Sequence, residues 1–144
     1  MTVQTPSGSY SGDITVQEAW EALQNDEMAV LVDVRTLPEW QFVGVPDLSS
    51  LGKKVLTVSW QVYPAMDVNS NFVDVIRAQG LKVDNRIFMI CRSGVRSIAS
   101  SVALCAEGFQ AFNVLDGFEG NHDEQGHRGR KAGWKAAGLP WQQG

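Results

Sequence analysis

Four short apolar runs punctuate the chain, and stretches with helical periodicity precede or separate most of them. Ala29 to Val34 is continuously apolar apart from Asp33, the pattern of a strand buried on both faces of a parallel sheet. Val55–Trp60, Arg86–Ile90 and Ala111–Leu115 predict three further strands. Ahead of the first run, Thr15-Val16-Gln17-Glu18 has the spacing of a capping box, and Ala19, Trp20, Leu23 and Met28 follow as a partial helical stripe. Asn69 or Ser70 is placed to cap a helix carrying Phe72, Val73, Val75 and Ile76, with Gly80 as its stop. Ser97 to Glu107 predicts another helix, with Ile98, Val102 and Cys105 along one face and Gly108 ending it. Strands alternating with helices imply βαβ units, hence an α/β fold with a central, mainly parallel sheet.

Two segments lie outside this alternation. Gly44–Lys54 predicts a loop, broken by Pro46-Asp47 and Gly52. Gly117–Gly133 is polar, holds five glycines and contains both histidines. A loop of that length in a compact domain is usually functional or mobile. Residues 1–12, rich in Ser, Thr and Gly, predict a flexible N-terminus, and residues 13–142 a single domain.

Composition narrows the function classes. At 144 residues and 44% hydrophobic, one domain with a sizeable core is expected without metal or disulfide staples. The net charge of −4 supplies no basic field for nucleic acid, so none is expected as a partner. No apolar run reaches the ~20 residues of a membrane span, so no membrane partner is expected either. The N-terminus has neither the basic start nor the apolar stretch of a signal peptide. Cys91 and Cys105 form no disulfide framework, and no CxxC spacing suggests zinc. A cytoplasmic location, with no metal site, is the expectation.

The chemistry concentrates in Ile87-Phe88-Met89-Ile90-Cys91-Arg92-Ser93-Gly94-Val95-Arg96-Ser97-Ile98-Ala99, a strand, a polar turn and a helix. Cys91 falls at the carboxyl end of a parallel strand, where open α/β sheets place their ligands. Unpaired amides of the turn and of the next helix form an anion nest, and Gly94 lets the backbone curl tightly. Arg92 and Arg96 add positive charge, so Cys91 is expected to be an activated nucleophile at neutral pH. The plainer alternative is a small buried residue ending a core strand. Two arginines, two serines and a glycine within the next six residues are a poor choice for core packing.

Cys91-Arg92-Ser93-Gly94-Val95-Arg96-Ser97 resembles the active-site loop of the rhodanese family of sulfurtransferases. Leu31-Val32-Asp33-Val34-Arg35 with Glu39-Trp40 is similar to the family's D-x-R…E segment, and Val114-Leu115-Asp116-Gly117-Phe118 to its V-x-x-L-x-G-G stretch. Gly133-Trp134-Lys135-Ala136-Ala137-Gly138-Leu139-Pro140 matches the W-x-x-x-G-x-P ending. The chain departs from the family in three places. Gly44-Val45-Pro46-Asp47-Leu48 stands where G-H-I-x-G-A is usual, Phe118 replaces the second Gly, and 117–133 is an insertion. The resemblance implies a three-layer α/β/α domain and a two-step transfer without a bound cofactor. A Cys91 persulfide would be the covalent intermediate, formed from thiosulfate or a persulfide donor and emptied onto a thiophilic acceptor.

By that resemblance the backbone from Arg92 through Ser93, Gly94, Val95 and Arg96 to Ser97 binds the substrate, and Arg92 and Arg96 hold a small anionic sulfur donor. A thiol or cyanide, or a protein sulfur acceptor, would take the sulfur. Asp33, Arg35 and Glu39 are expected in supporting positions, with a cationic Arg35 near the sulfur as the more active possibility. Cysteine phosphatases and arsenate reductases on a related fold are the alternative, but they use Cys-x5-Arg where this chain has Cys-x4-Arg. A docking or sulfur-carrier module is the third class.

Other residues have plainer expectations. Cys105 is expected to pack in the core. Trp60 and Tyr63 either wall the pocket mouth or anchor the core. His122, Asp123, Glu124 and His127 predict a solvated loop rather than a metal site. Arg128-Gly129-Arg130-Lys131 fits an exposed charge run or an anion-attracting patch.

Overall fold

The computed structural model describes residues 10–62, 65, 67–91, 95–119 and 133–142, apart from the side chains of Phe42 and Val95. In chain order these form β1 (Gly12–Ile14), α1 (Val16–Asn25), β2 (Ala29–Asp33), α2 (Leu37–Phe42), β3 (Val45–Pro46), β4 (Leu56–Thr57), β5 (Gln61–Val62) and β6 (Asp67–Val68). They continue with α3 (Phe72–Ala78), β7 (Arg86–Ile90), α4 (Val95–Ala106), β8 (Gln110–Val114) and β9 (Trp141–Gln142). The main sheet has the order β1-β8-β7-β2-β4, and every adjacent pair is parallel.

Burial on both faces explains the apolar runs. Leu31, Phe88, Ile90 and Val114 point to one face, against Ala19 and Leu23 of α1 and the Phe118 and Trp134 rings. Val32, Ile87, Met89 and Ala111 point to the other, against Phe72 and Ile76 of α3 and Leu104 of α4. The result is a three-layer α/β fold with β7 at the centre of the sheet.

Local signals act as the sequence predicts at several ends. The Glu18 amide donates to Thr15 Oγ1 at 3.0 Å and the Thr15 amide donates back to Glu18 Oε1 at 3.0 Å, closing a capping box on α1. Gly80 and Gly108 follow α3 and α4 with φ of 87° and 93°, a left-handed conformation that glycine adopts without steric penalty.

Elsewhere the structure differs from the pattern. The run Val55–Trp60 contributes only Leu56–Thr57 to the ladder, because this strand lies at the sheet edge with β2 as its one partner. The Asn69 side chain bonds the Asn71 amide at 3.0 Å, and α3 begins at Phe72 rather than directly after Asn69 or Ser70. The predicted loop Gly44–Lys54 holds β3, paired antiparallel with β9 near the end of the chain, and a 3-10 turn at Ser49–Leu51. Gly44 has φ of 114°, and a Cβ there would meet the Gln142 carbonyl oxygen and the Trp141 ring at 2.8 Å. That close approach explains the glycine.

Candidate active site

Cys91 follows the last residue of β7, in the middle of the row of parallel strand ends. Its carbonyl accepts the Phe118 amide at 2.8 Å, and the Ile90 carbonyl accepts the Val34 amide at 2.9 Å. The residue is 1% exposed and belongs to the apolar cluster under α3 and α4. α4 starts four residues later, so the strand and the helix flank the site closely in the chain. Ser97, the third residue of α4, places Oγ 3.3 Å from Cys91 Sγ. The sulfur therefore sits against the amino-terminal turn of a twelve-residue helix, the positive end of its dipole.

Arg96 points from the same turn to Glu39 on α2. Nη1 and Nη2 donate to Oε1 and Oε2 at 2.7 and 2.9 Å, a bidentate pair. Burial pushes the Glu39 carboxyl up, but the hydrogen bonds and charge of Arg96, with two bonds from Thr36, outweigh it and hold the group at about 2. Burial likewise opposes the Arg96 cation. Its hydrogen bonds to Glu39 and the charge of that carboxylate, with a smaller contribution from Asp33, outweigh that and raise its pKa above the ordinary value. α2 owes its start to the same glutamate: the Thr36 amide and hydroxyl donate to Glu39 Oε1 at 3.2 and 2.9 Å. Glu39 thus ties the start of α2 to the start of α4.

Asp33 and Arg35 are both 0% exposed. Arg35 Nε donates to both Asp33 oxygens, and Nη2 donates to Asp33 Oδ2 and to the Gly44 carbonyl, each at 2.6 Å. The guanidinium lies 4.3 Å from the centre of the Phe118 ring. Phe118 belongs to the cluster under α1, on the opposite face of the sheet from Cys91. Arg35 thus stacks in that other layer, and it clamps the β2 end, the Gly44 turn and the Phe118 turn together. Its Nη1 is buried with no hydrogen-bond partner among the described residues.

Ser97 opens a second polar path. Its hydroxyl donates to Asn113 Oδ1 on β8 at 2.6 Å, and Asn113 Nδ2 donates to Asp13 Oδ1 on β1 at 3.0 Å. Asp13 and Asn113 are paired in register, which puts both side chains on one face. The Tyr10 hydroxyl also donates to Asp13 Oδ1, at 2.8 Å.

The structure thus gathers Cys91, Arg96, Ser97 and Glu39 into one site and sets Asp33 and Arg35 in the layer beside it. Val95 opens α4 by its backbone. Arg92, Ser93 and Gly94 lie outside the described residues, as do Tyr63, His122, Asp123, Glu124, His127 and Arg128 to Lys131. Trp60 stacks edge-on against Phe72, with ring centres 5.2 Å apart, and so anchors the core. Cys105 lies eight residues beyond Ser97 on α4, about 12 Å along the helix. Its sulfur approaches Ser11 Oγ at 3.5 Å.

Three contributors were missed from sequence: Asn113, Asp13 and Phe118. Asn113 carried a signal, since it is the polar residue inside the apolar run Ala111–Leu115. Asp13 carried none, because its role depends on the pairing of β1 with β8.

Comparison with known proteins places this geometry. The family described as STR4 middle domain matches residues 11–144. An uncharacterized protein of Rickettsia rickettsii is 38% identical over 131 residues, covering 90% of this chain and 96% of that one. Among solved structures, Rv0390 of M. tuberculosis is 51% identical, covers 94% of this chain and all of its own, and superposes with a TM-score of 0.81. A rhodanese-like domain protein of Staphylococcus aureus is 23% identical over 74% of this chain and 86% of its own, at a TM-score of 0.52. Two more distant structures share the fold but carry unlike descriptions. One is a polysulfide-sulfur transferase homodimer of Wolinella succinogenes, 17% identical over 96% of this chain and 82% of its own, at 0.62. The other is a possible tyrosine phosphatase of Rhodopseudomonas palustris, 16% identical over 91% and 84%, at 0.55. At those identities the likeness speaks for the fold alone.

Proposed function

The chain is a rhodanese-like domain and belongs to the STR4 middle domain family; on that footing we propose that it is a sulfurtransferase carrying sulfane sulfur as a persulfide on Cys91. The single observation that carries this is the position of the Cys91 sulfur. It lies at the end of the central parallel strand, 3.3 Å from Ser97 Oγ in the first turn of α4. A helix start and the Arg96 cation together favour negative charge there.

The reaction proceeds by two displacements. The Cys91 thiolate attacks the outer sulfur of thiosulfate; the new S–S bond forms as the donor's own S–S bond breaks, and sulfite leaves with that bond's electron pair. The enzyme is left as Cys91–S–S⁻. A thiol or cyanide then attacks the outer sulfur, and the electron pair returns to Cys91 as thiolate. A persulfide donor enters by the same first step with a thiolate as leaving group, and a protein thiol serves equally as acceptor. No bound cofactor is needed in either half.

Arg96 has a defined part in this scheme. Both of its terminal nitrogens are engaged by Glu39, so it contributes charge beside the sulfur and ties α2 to α4. Recognition of the donor's anionic oxygens then falls to Arg92 and the amides of the loop. The same pairing argues against phosphatase chemistry, in which the loop arginine must grip the phosphoryl group and a Cys-x5-Arg spacing is used. Two free thiols suit a reducing compartment such as the cytoplasm.

Steady-state kinetics with thiosulfate and cyanide test the scheme. Parallel double-reciprocal lines are expected, because sulfite leaves before the acceptor binds. Intersecting lines, or a Cys91→Ser variant with normal turnover, would refute the covalent route.

A further inference from the structure

Both arginines described at the carboxyl ends of the strands are held by carboxylates. Arg35 is closed onto Asp33 in the α1 layer, where Lys135 faces the Phe118 and Trp141 rings. Arg96 lies on the Cys91 face, one residue before Ser97, whose Oγ is 3.3 Å from Cys91 Sγ. Its Nη1 and Nη2 bond the two Glu39 oxygens at 2.7 and 2.9 Å. The end of the guanidinium fork, which would otherwise match two oxygens of an oxyanion, is therefore occupied.

Glu39 is fixed in that place. Its Oε1 also accepts the Thr36 amide and hydroxyl, and its carboxyl, held at about 2, keeps its charge at neutral pH. The two side chains are only 14% and 18% exposed, so water and salt screen the pair less than they would at an open surface. The pair adds no net charge beside the site and acts as a dipole with its cationic end on α4. Attraction to a dipole grows in proportion to a ligand's charge, whereas the cost of stripping its water grows as the square of that charge. A dianion thus gains least from this arrangement.

The two donor classes open to Cys91 differ in that respect. Thiosulfate enters as a dianion and releases sulfite. A hydropersulfide R–S–SH brings no charge on its reacting atoms. Its outer sulfur bonds to Cys91, its S–S bond breaks, R–S⁻ leaves with the electron pair and the proton passes to solvent, giving the same Cys91–S–S⁻. We propose that Glu39 is a specificity-determining residue: by occupying and neutralising Arg96, it makes the site select an organic hydropersulfide over dianionic thiosulfate as its sulfur donor. Thiosulfate then loads Cys91 at high concentration but with the lower kcat/KM.

This inference rests on the sulfur-transfer reading, but thiosulfate binding to Cys91→Ser requires no transfer, so the two can fail separately. Thiosulfate is titrated by calorimetry into Cys91→Ser alone and into the same protein carrying Glu39→Gln, Arg96→Met, or both. Glu39→Gln keeps the shape and unmasks the cation, and is expected to tighten binding about tenfold, the effect of one unit charge in a partly covered site. That gain should shrink in about 0.5 M salt. Arg96→Met leaves Glu39 unpaired and should weaken binding by a similar factor. The double variant removes both charges and should bind within about threefold of Cys91→Ser alone. Because it leaves no uncompensated charge, it stays informative if either single variant fails to fold.

With Cys91 intact, thiosulfate is compared with the hydropersulfide of 2-mercaptoethanol, which has no other charged group. The ratio of their kcat/KM values should shift about tenfold toward thiosulfate in Glu39→Gln, with Arg92 common to both proteins. Unchanged thiosulfate affinity in Glu39→Gln would overturn the proposal, as would a double variant as weak as Arg96→Met. So would an unmodified protein that prefers thiosulfate, or a Glu39→Gln variant that loses both donors by the same factor, since Glu39 would then be only a brace between α2 and α4.

Discussion

The carboxyl end of the sheet carries two polar assemblies on opposite faces, and they solve the problem of buried charge differently. On the α1 face, Asp33 and Arg35 form a closed ion pair with no solvent exposure, capped by a backbone carbonyl and an aromatic ring. On the α4 face, Cys91 lies among partners that lead outward, Arg96 to the half-covered Glu39 and Ser97 to Asn113 and Asp13. The first assembly is dry, saturated on its Nη2 side and built to stay put. The second runs from buried groups out to half-covered and exposed carboxylates and sets the Arg96 cation on the same helix turn as Ser97. The same strand ends thus supply a fixed clamp and an adjustable site, separated by one layer of sheet.

The comparison predicts where stability and where chemistry will be lost. The largest stability effect belongs to the dry clamp. Arg35→Ala leaves Asp33 ionised and unpaired at a fully buried position, and should cost about 3–5 kcal/mol in urea unfolding. A loss below about 1 kcal/mol, as for an exposed ion pair, would erase the distinction between the two assemblies.

Glu39 comes next. Its carboxyl is held at about 2, below the ordinary glutamate value, so its contribution to stability is complete above about pH 4.5. That contribution is lost as the pH falls from there toward 2. Glu39→Gln is therefore expected to lower stability by about 2–3 kcal/mol at neutral pH, with the gap to the parent protein closing between about pH 4.5 and 2. Equal slopes for both proteins across that window would remove Arg96 as the cause of the depressed value.

A smaller effect should follow from Gly44→Ala. The added Cβ meets the Gln142 carbonyl at 2.8 Å in a left-handed conformation, and should cost about 1–3 kcal/mol in the same unfolding assay. Because the Gly44 carbonyl serves the Arg35 clamp, the chemistry at Cys91 should change less than the stability. A variant that kept full stability but lost activity would place this turn in the adjustable site instead.

Much of this arrangement was legible in the chain, and the failures have physical reasons. The runs that form β2 and β7 are buried on both faces, so their composition is dictated locally and their bounds are readable. Val55–Trp60 reads like them, yet an edge strand with one partner keeps only two residues in its ladder. α2 was missed although Thr36-Leu37-Pro38-Glu39 repeats the capping signature of α1 and carries a proline in its first turn. Glu39 drew notice as a site residue, and the same side chain serves as a cap. β3 and β9 are two-residue pieces joined across about two-thirds of the chain, which no local pattern can announce.

For the site, the placement of Cys91 after β7 and of Arg96 and Ser97 in the first turn of α4 was legible because strand and helix are close in the chain. Asn113 and Asp13 enter through the register of β8 with β1, and are visible only in the folded protein. Arg35 illustrates the opposite case. Its place near Cys91 in the chain order of strands is right, but alternation along the strand end sends its side chain to the other layer.

The most direct test of the central claim is the intact mass of the protein after incubation with thiosulfate, before and after cyanide. A gain of one sulfur atom is expected, mapping to Cys91, lost on addition of cyanide and absent from Cys91→Ser. A protein that gains no sulfur, or that gains it equally in Cys91→Ser, would contradict it.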